Sequence, residues 1–162
     1  MLNSTQMANE ATREERLVAL GLALPEAPAP GGNYVSAKCV AGIAYLAGAI
    51  STGPDGVITG TVGKDRTVEE GYAAARACAL SQLAVLKSEL GTLDRVAEVL
   101  TVNGYVNAVP GFADSPAVIN GASDLLVAVF GDAGRHVRAA VGVSALPRHA
   151  LVELQMSVGV KP

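Results

Sequence analysis

Two charges stand inside the apolar runs that flank the turn in VRAAVGVSALPRHALVELQ, residues 137 to 155. Arg138 opens its first half and Glu153 lies within its second, on either side of a Leu146-Pro147 turn. An arginine donates two parallel hydrogen bonds from a planar fork and stays charged at any working pH, so it suits a carboxylate. A glutamate can orient or deprotonate water. Together they could clamp a small carboxylic acid and deliver water to it. The plainer alternative is structural ion pairing at a contact between subunits.

Side chains alternate along a strand, which predicts where these charges point. Ala139, Val141, Val143 and Ala145 form an apolar row expected to lie under helices, leaving Arg138, Ala140, Gly142 and Ser144 on the opposite face. In the second run Val152, Leu154 and Met156 are apolar, and Glu153, Gln155 and Ser157 alternate with them. Both charges are thus expected on the sheet face away from the helices. If the two runs paired as a hairpin, Gly142 would oppose Glu153, and Arg138 would lie about 13 Å away at roughly 3.3 Å per residue. A direct pair is excluded on that spacing. Either the strands are not neighbours or a second subunit supplies the partners.

The elements that must hold these residues are legible upstream. Thr12 to Glu15 and Thr67 to Glu70 are capping boxes, in which each end satisfies a free amide of the other. The first opens a short helix with Leu17, Val18 and Leu20 that stops near Gly21. The second opens a long helix to Gly91 with the stripe Tyr72, Ala75, Ala79, Leu83, Leu86 and Leu90. Ser115-Pro116 is expected to cap a third helix, running to Gly131 with Ile119, Ala122, Leu126 and Val129 inward. Strands are expected over residues 34–40 and 43–48, joined by Ala41-Gly42, over 96–106, and in the two closing runs. In the long strand Val96, Leu100, Val102 and Val106 should share one face, with Val99, Thr101, Asn103, Tyr105 and Asn107 on the other. The order helix, strand, strand, helix, strand, helix, strand, strand defines an α+β layer, with helices on one face of a mixed sheet.

Composition narrows the function. Of 162 residues half are hydrophobic and only 17% charged, an apolar excess that points to buried subunit contacts. A net charge of -3 with scattered positives offers no footprint for nucleic acid. No run approaches the roughly 18 consecutive apolar residues of a membrane span. The polar start MLNSTQMANEATREER lacks a signal-peptide core, so a cytoplasmic setting with reduced thiols is expected. Cys39 and Cys78 fall on apolar-rich elements and are expected in the core. Two His and two Cys without close spacing make no metal site. His136 is expected as a solvent-exposed side chain beside Arg135, and His149 as a turn residue without a role.

The pattern R-x-x-V-x-V-x-x-L-P followed by V-E, here Arg138 to Pro147 and Val152-Glu153, resembles the Rid family of reactive intermediate deaminases, also called YjgF or endoribonuclease L-PSP. Upstream marks agree: Pro30-Gly31-Gly32-Asn33-Tyr34-Val35, Tyr45-Leu46-Ala47-Gly48, the Thr67 to Glu70 cap, and Phe112 followed by Val118-Ile119-Asn120. The segment Asn120-Gly121-Ala122-Ser123 and the extra N-terminal helix are similar to a longer branch of the family. The resemblance divides the chain into an N-terminal helix and connector over residues 1–28 and a single domain over residues 29–162. It implies a chorismate-mutase-like α+β fold, a homotrimer and ligand clefts between subunits. It further implies cofactor-independent hydrolysis of 2-imino acids or enamines to 2-keto acids and ammonia, as in 2-iminobutanoate/2-iminopropanoate deaminases. Its small-molecule partners are then 2-imino and 2-keto acids, not nucleic acid or membrane.

On that resemblance Arg138 clamps the substrate carboxylate and Glu153 orients the attacking water. Tyr34 lines the pocket, Asn120 sits near its rim, and Gly48 permits close approach. Tyr105 is expected in the trimer contact. Two positions depart from the family: Ala47 stands where Ser is common, and Ala140 where a reactive Cys is often found. The loop from Ala108 to Pro116 is longer than in compact members. The competing readings are a non-catalytic carboxylate-binding trimer, favoured by the lost Ser hydroxyl, and, less favoured by charge, an endoribonuclease.

Overall fold

A computed structural model describes residues 10–162. Helix α1 spans Arg13–Ala19, α2 Val68–Leu90 and α3 Ser115–Phe130. The strands are β1 (Ala37–Val40), β2 (Ile43–Leu46), β3 (Ala49–Ile50), β4 (Thr52–Gly53), β5 (Gly56–Val57), β6 (Val96–Asn107), β7 (Val137–Val143) and β8 (Val152–Val160). The main sheet runs β1-β2-β8-β6-β7, with β3 also on β8; β6 and β7 are parallel and the other pairs antiparallel. Strands β4 and β5 form a separate hairpin at the Pro54-Asp55 turn. The expected α+β architecture, with helices on one face of a mixed sheet, is present.

Both capping boxes form, with Thr12 accepting from the Glu15 amide and Thr67 from the Glu70 amide. Helix α2 stops at Gly91, whose φ of 83° is open to glycine at little cost. Ala41 and Gly42 both take positive φ, which makes the tight turn between β1 and β2. The third helix begins differently from expectation. Asp114 is its N-cap, and Ser115 lies one residue inside with its hydroxyl buried and unpartnered.

The core lies between the sheet and the helices α2 and α3, with Leu83, Leu86, Ile119, Leu126, Leu154 and Met156 fully buried. Helix α1 docks on the same body through Leu17, through Arg13 to Asp94 at 3.6 Å, and through Arg16 donating to the Val129 carbonyl. Its Val18 and Leu20 point outward. The segment Ser115–Gly134 is apolar and long enough to cross a bilayer by length and composition alone, although Asn120, Ser123 and Asp124 interrupt it. Half of it is buried inside this fold, where α3 packs on α2 and β6. A Cβ at Gly121 would collide with the Tyr72 carbonyl, so the absent side chain lets α3 seat directly on α2.

Strand β6 separates the two closing strands, so they are not neighbours, one of the two alternatives the spacing left open. Three expectations about the strands fail. The single strand expected over residues 43–48 is broken: Tyr45 pairs with Ser157 and Ala49 with Leu154, four residues against three, a β-bulge at Ala47-Gly48. The first strand begins only at Ala37. In β6, irregular pairing between Val96 and Thr101 shifts the alternation, which buries Val99 and leaves Leu100 partly exposed.

The orientation of β7 is also reversed. Arg138 pairs opposite Val102, whose side chain is fully buried on the helix side, so Arg138 shares that side. Val137, Ala139, Val141 and Val143 pair with the row Thr101, Asn103, Tyr105 and Asn107. Val137 is 70% exposed and Val141 46%. An apolar row on an interior strand faces the core, but β7 is an edge strand and its apolar row lies on the uncovered face. On the other side, facing α3, stand Arg138 and the small residues Ala140 and Gly142. Strand β8 keeps the expected alternation, with Val152, Leu154 and Met156 in the core and Glu153 on the open face.

Candidate functional site

The residues singled out from the sequence fall into two groups. The first is built where α3 meets the edge of β7. Arg138 Nη1 donates to Asn120 Oδ1 at 2.8 Å and to Ser123 Oγ at 3.1 Å. Residues 120 and 123 are one helical turn apart, so α3 presents both to the same guanidinium. Both Nη1 protons are thereby used, leaving Nε–H and the Nη2 protons outward. Arg138 is exposed, and none of the ion pairs among the described residues includes it. Neutral partners hold the cation in place without neutralising it. Its Nε and Nη2 donors stay open, a geometry that suits an anion.

The bond to Arg138 also decides how Asn120 presents itself. Its Oδ1 faces the cation, so its Nδ2 donors are the groups left for a ligand. Ser123 was singled out only as part of a branch signature. His136, expected as an exposed side chain, is instead half-buried, with Nε2 at 2.9 Å from Ser123 Oγ and Nδ1 at 2.7 Å from the Gly134 carbonyl. Spacing two residues before Arg138 was the available signal. Its connection through α3 is tertiary.

The second group lies on the open face of the sheet. Glu153, on β8, is half-buried and pairs with Ile50 of β3 on one side and Tyr105 of β6 on the other. A Cβ added at Gly48 would collide with Glu153 Oε1 and stand 3.2 Å from its Cδ. The carboxylate therefore occupies the space that glycine vacates. Burial raises its pKa above the ordinary glutamate range, which makes it a stronger base once ionised. Tyr34 is exposed, and its hydroxyl accepts from the Gly31 amide at 2.9 Å. Its loop is tied to this group because the Ala47 amide donates to the Ser36 carbonyl at 2.9 Å.

Gln82 of α2 was missed in the sequence. Its buried Nε2 donates to the Ala47 carbonyl at 2.9 Å and to the Leu154 carbonyl at 2.7 Å. A bulge leaves ladder groups unpaired, and the Gln82 amide satisfies them. It thereby ties the residue before Gly48 to the residue after Glu153. Cys78 is buried as expected, and desolvation pushes its thiol pKa up. Cys39 is exposed, because it lies on edge strand β1.

Within one chain the two groups stay apart. Arg138 lies opposite Val102 and Glu153 opposite Tyr105, on either side of β6. Three residues along and two strands across gives about 14 Å between their backbones, and the side chains leave opposite faces.

A mixed sheet with α2 and α3 on one face, an uncovered apolar face opposite, and a site divided between edge and face defines the class of architecture. Residues 14–157 match the family described as "YjgF/chorismate mutase-like, putative endoribonuclease". The chain belongs to this YjgF/Rid family. It is 46% identical over 141 residues to Protein TCP17 of Trypanosoma cruzi, covering 86% of this chain and 88% of that one. A solved structure from Shewanella oneidensis MR-1 bearing the endoribonuclease name is 35% identical with a TM-score of 0.89, over 93% of this chain and all of that one. The protein Atu1372 of Agrobacterium tumefaciens, of unknown function, is 38% identical with a TM-score of 0.85, over 93% of each chain.

Proposed function

We propose that this protein hydrolyses small 2-imino acids, or their enamine tautomers, to 2-keto acids and ammonia, in a site completed between subunits of a homotrimer. The observation that carries this reading is the Arg138 guanidinium, anchored by Asn120 and Ser123 and free of any acidic partner among the described residues. Its free Nε–H and Nη2–H match the two oxygens of a carboxylate.

The chemistry asks little of the protein. An imine carbon is already electrophilic, so orienting it and bringing water close supplies most of the help, an effect worth several kcal/mol. Arg138 holds the carboxylate, and Asn120 Nδ2 is free to donate to the substrate. Glu153 takes a proton from water as the water oxygen bonds to the imine carbon, and returns it to nitrogen to give the carbinolamine. Glu153 then takes the hydroxyl proton of the carbinolamine and passes it to nitrogen as the C=O bond forms, the C–N bond breaks and ammonia leaves. A glutamate with a raised pKa suits both directions of transfer. No cofactor enters this scheme.

A second subunit is what brings the groups together. The open face carries Val40, Tyr45, Val137 and Val141, each between 46% and 70% exposed. Covering that face with another copy buries this apolar surface and can carry one chain's Arg138 edge to its neighbour's Glu153. Tyr105 is half-buried on the same face and would join that contact. Sedimentation is expected to give three chains per particle.

Ammonia release from an imino acid generated in situ tests the activity, with Arg138→Ala as the control. Equal rates for wild type, variant and buffer would end the enzymatic reading for that substrate. Ala47, where the family commonly carries Ser, favours as a second reading a trimer that binds small carboxylates without turning them over; saturable pyruvate binding with no rate enhancement would select it. Net charge of -3 weighs against ribonuclease action.

A further inference from the structure

The atoms between Arg138 and the start of β7 form a connected chain whose hydrogen-bond directions follow from their chemistry. The Gly134 carbonyl can only accept, so His136 Nδ1, 2.7 Å away, carries the proton. In the neutral ring Nε2 is then an acceptor, and Ser123 Oγ at 2.9 Å must donate to it. With its proton committed to His136, the Ser123 oxygen turns a lone pair to Arg138 Nη1, 3.1 Å away. Asn120 Oδ1 takes the other Nη1 proton at 2.8 Å.

We infer that His136 and Ser123 are positioning residues for the Arg138 clamp: the imidazole fixes the serine hydroxyl, and the hydroxyl fixes the plane of the guanidinium. With both Nη1 protons anchored, the fork offered to a ligand is the Nε/Nη2 edge alone. A planar carboxylate is recognised side-on by that edge.

The nature of the ligand rests on the proposed function; the anchoring of Arg138 does not. Two measurements keep them separable. In pyruvate titrations of the full-length protein, Ser123→Ala and His136→Leu are each expected to weaken binding about fivefold, the scale of one hydrogen bond. The double variant should be no weaker than Ser123→Ala alone, since His136 acts through the hydroxyl. His136→Gln, whose amide oxygen can accept from Ser123, should recover most of the loss. In turnover assays the change is expected in KM, with kcat nearly unchanged.

Crystal structures of the unliganded variants supply the second readout: Arg138 should leave Asn120 in both Ser123→Ala and His136→Leu. If the wild type binds no pyruvate, the ligand assignment fails and the crystal structures alone decide the anchoring. Unaltered affinity with an unmoved Arg138, or effects of the two substitutions that multiply in the double variant, would overturn the inference. Should His136→Leu not fold, Ser123→Ala and His136→Gln carry both measurements.

Discussion

Arg138 and Glu153 project from opposite faces of one sheet, with β6 between their strands. Arg138 is gripped by α3, and Glu153 fills the gap left by Gly48. Each is set up by its own surroundings, and neither can reach the other within a chain. A divided site of this kind makes its own test available.

Arg138→Ala and Glu153→Gln are each expected to abolish imine hydrolysis. If the two residues meet across subunits, mixing the variants under conditions that exchange chains should restore activity. In a cyclic trimer assembled at random, about a quarter of the sites pair an intact Arg138 with an intact Glu153. Recovery near that fraction is the expected outcome; none after proven chain exchange would place the site within a single chain and refute the proposal.

Gly48→Ala adds one carbon where Glu153 Oε1 now lies. The carboxylate must swing away, so hydrolysis should fall at least tenfold while Arg138-dependent pyruvate binding changes little. Loss of both in parallel would mean that the bulge serves folding alone.

The raised pKa of Glu153 carries a stability cost with a definite sign. Below the ordinary glutamate pKa the group is protonated in folded and unfolded chains alike, and burial penalises neither. As pH rises, the unfolded chain ionises first, so stability declines until the folded pKa is passed. Glu153→Gln should therefore melt about one degree higher than wild type at pH 7, with the difference gone by about pH 4. A lower melting temperature at pH 7 would mean that the charge is compensated in the assembly.

Gln82→Met removes the donor to the Ala47 and Leu154 carbonyls at almost constant volume. Two buried acceptors then lose their partner, at a cost of about 2 kcal/mol. Thermal melting should show the loss, and hydrolysis should fall as Gly48 and Glu153 drift apart. An unchanged melt would show that water replaces the amide.

The cysteines should separate in a thiol titration. Cys39 is exposed and Cys78 is buried with its pKa pushed up, so one thiol per native chain should react at pH 8 and a second only after unfolding. Protection of both in the native protein would place Cys39 under a subunit contact.

Local chemistry made much of this protein readable from its sequence. A capping box is satisfied within four residues, so Thr12 and Thr67 announce their helices without reference to the rest of the fold. The Ala41-Gly42 turn and the alternation of β8 are equally short-range, and the marks around Arg138 and Glu153 were sufficient to point to the family. What sequence order could not supply was adjacency. Strand β6 enters between the closing strands because its pairing with β7 and β8 is long-range, and alternation along β7 says only that two faces differ. Which face meets the helices was decided by its place at the sheet edge, where apolar side chains can remain uncovered. Gln82 and His136 gained partners for the same reason. A hydrogen bond across 72 residues, as from Gln82 to Leu154, leaves no periodic trace in the chain; only folding brings its two ends together.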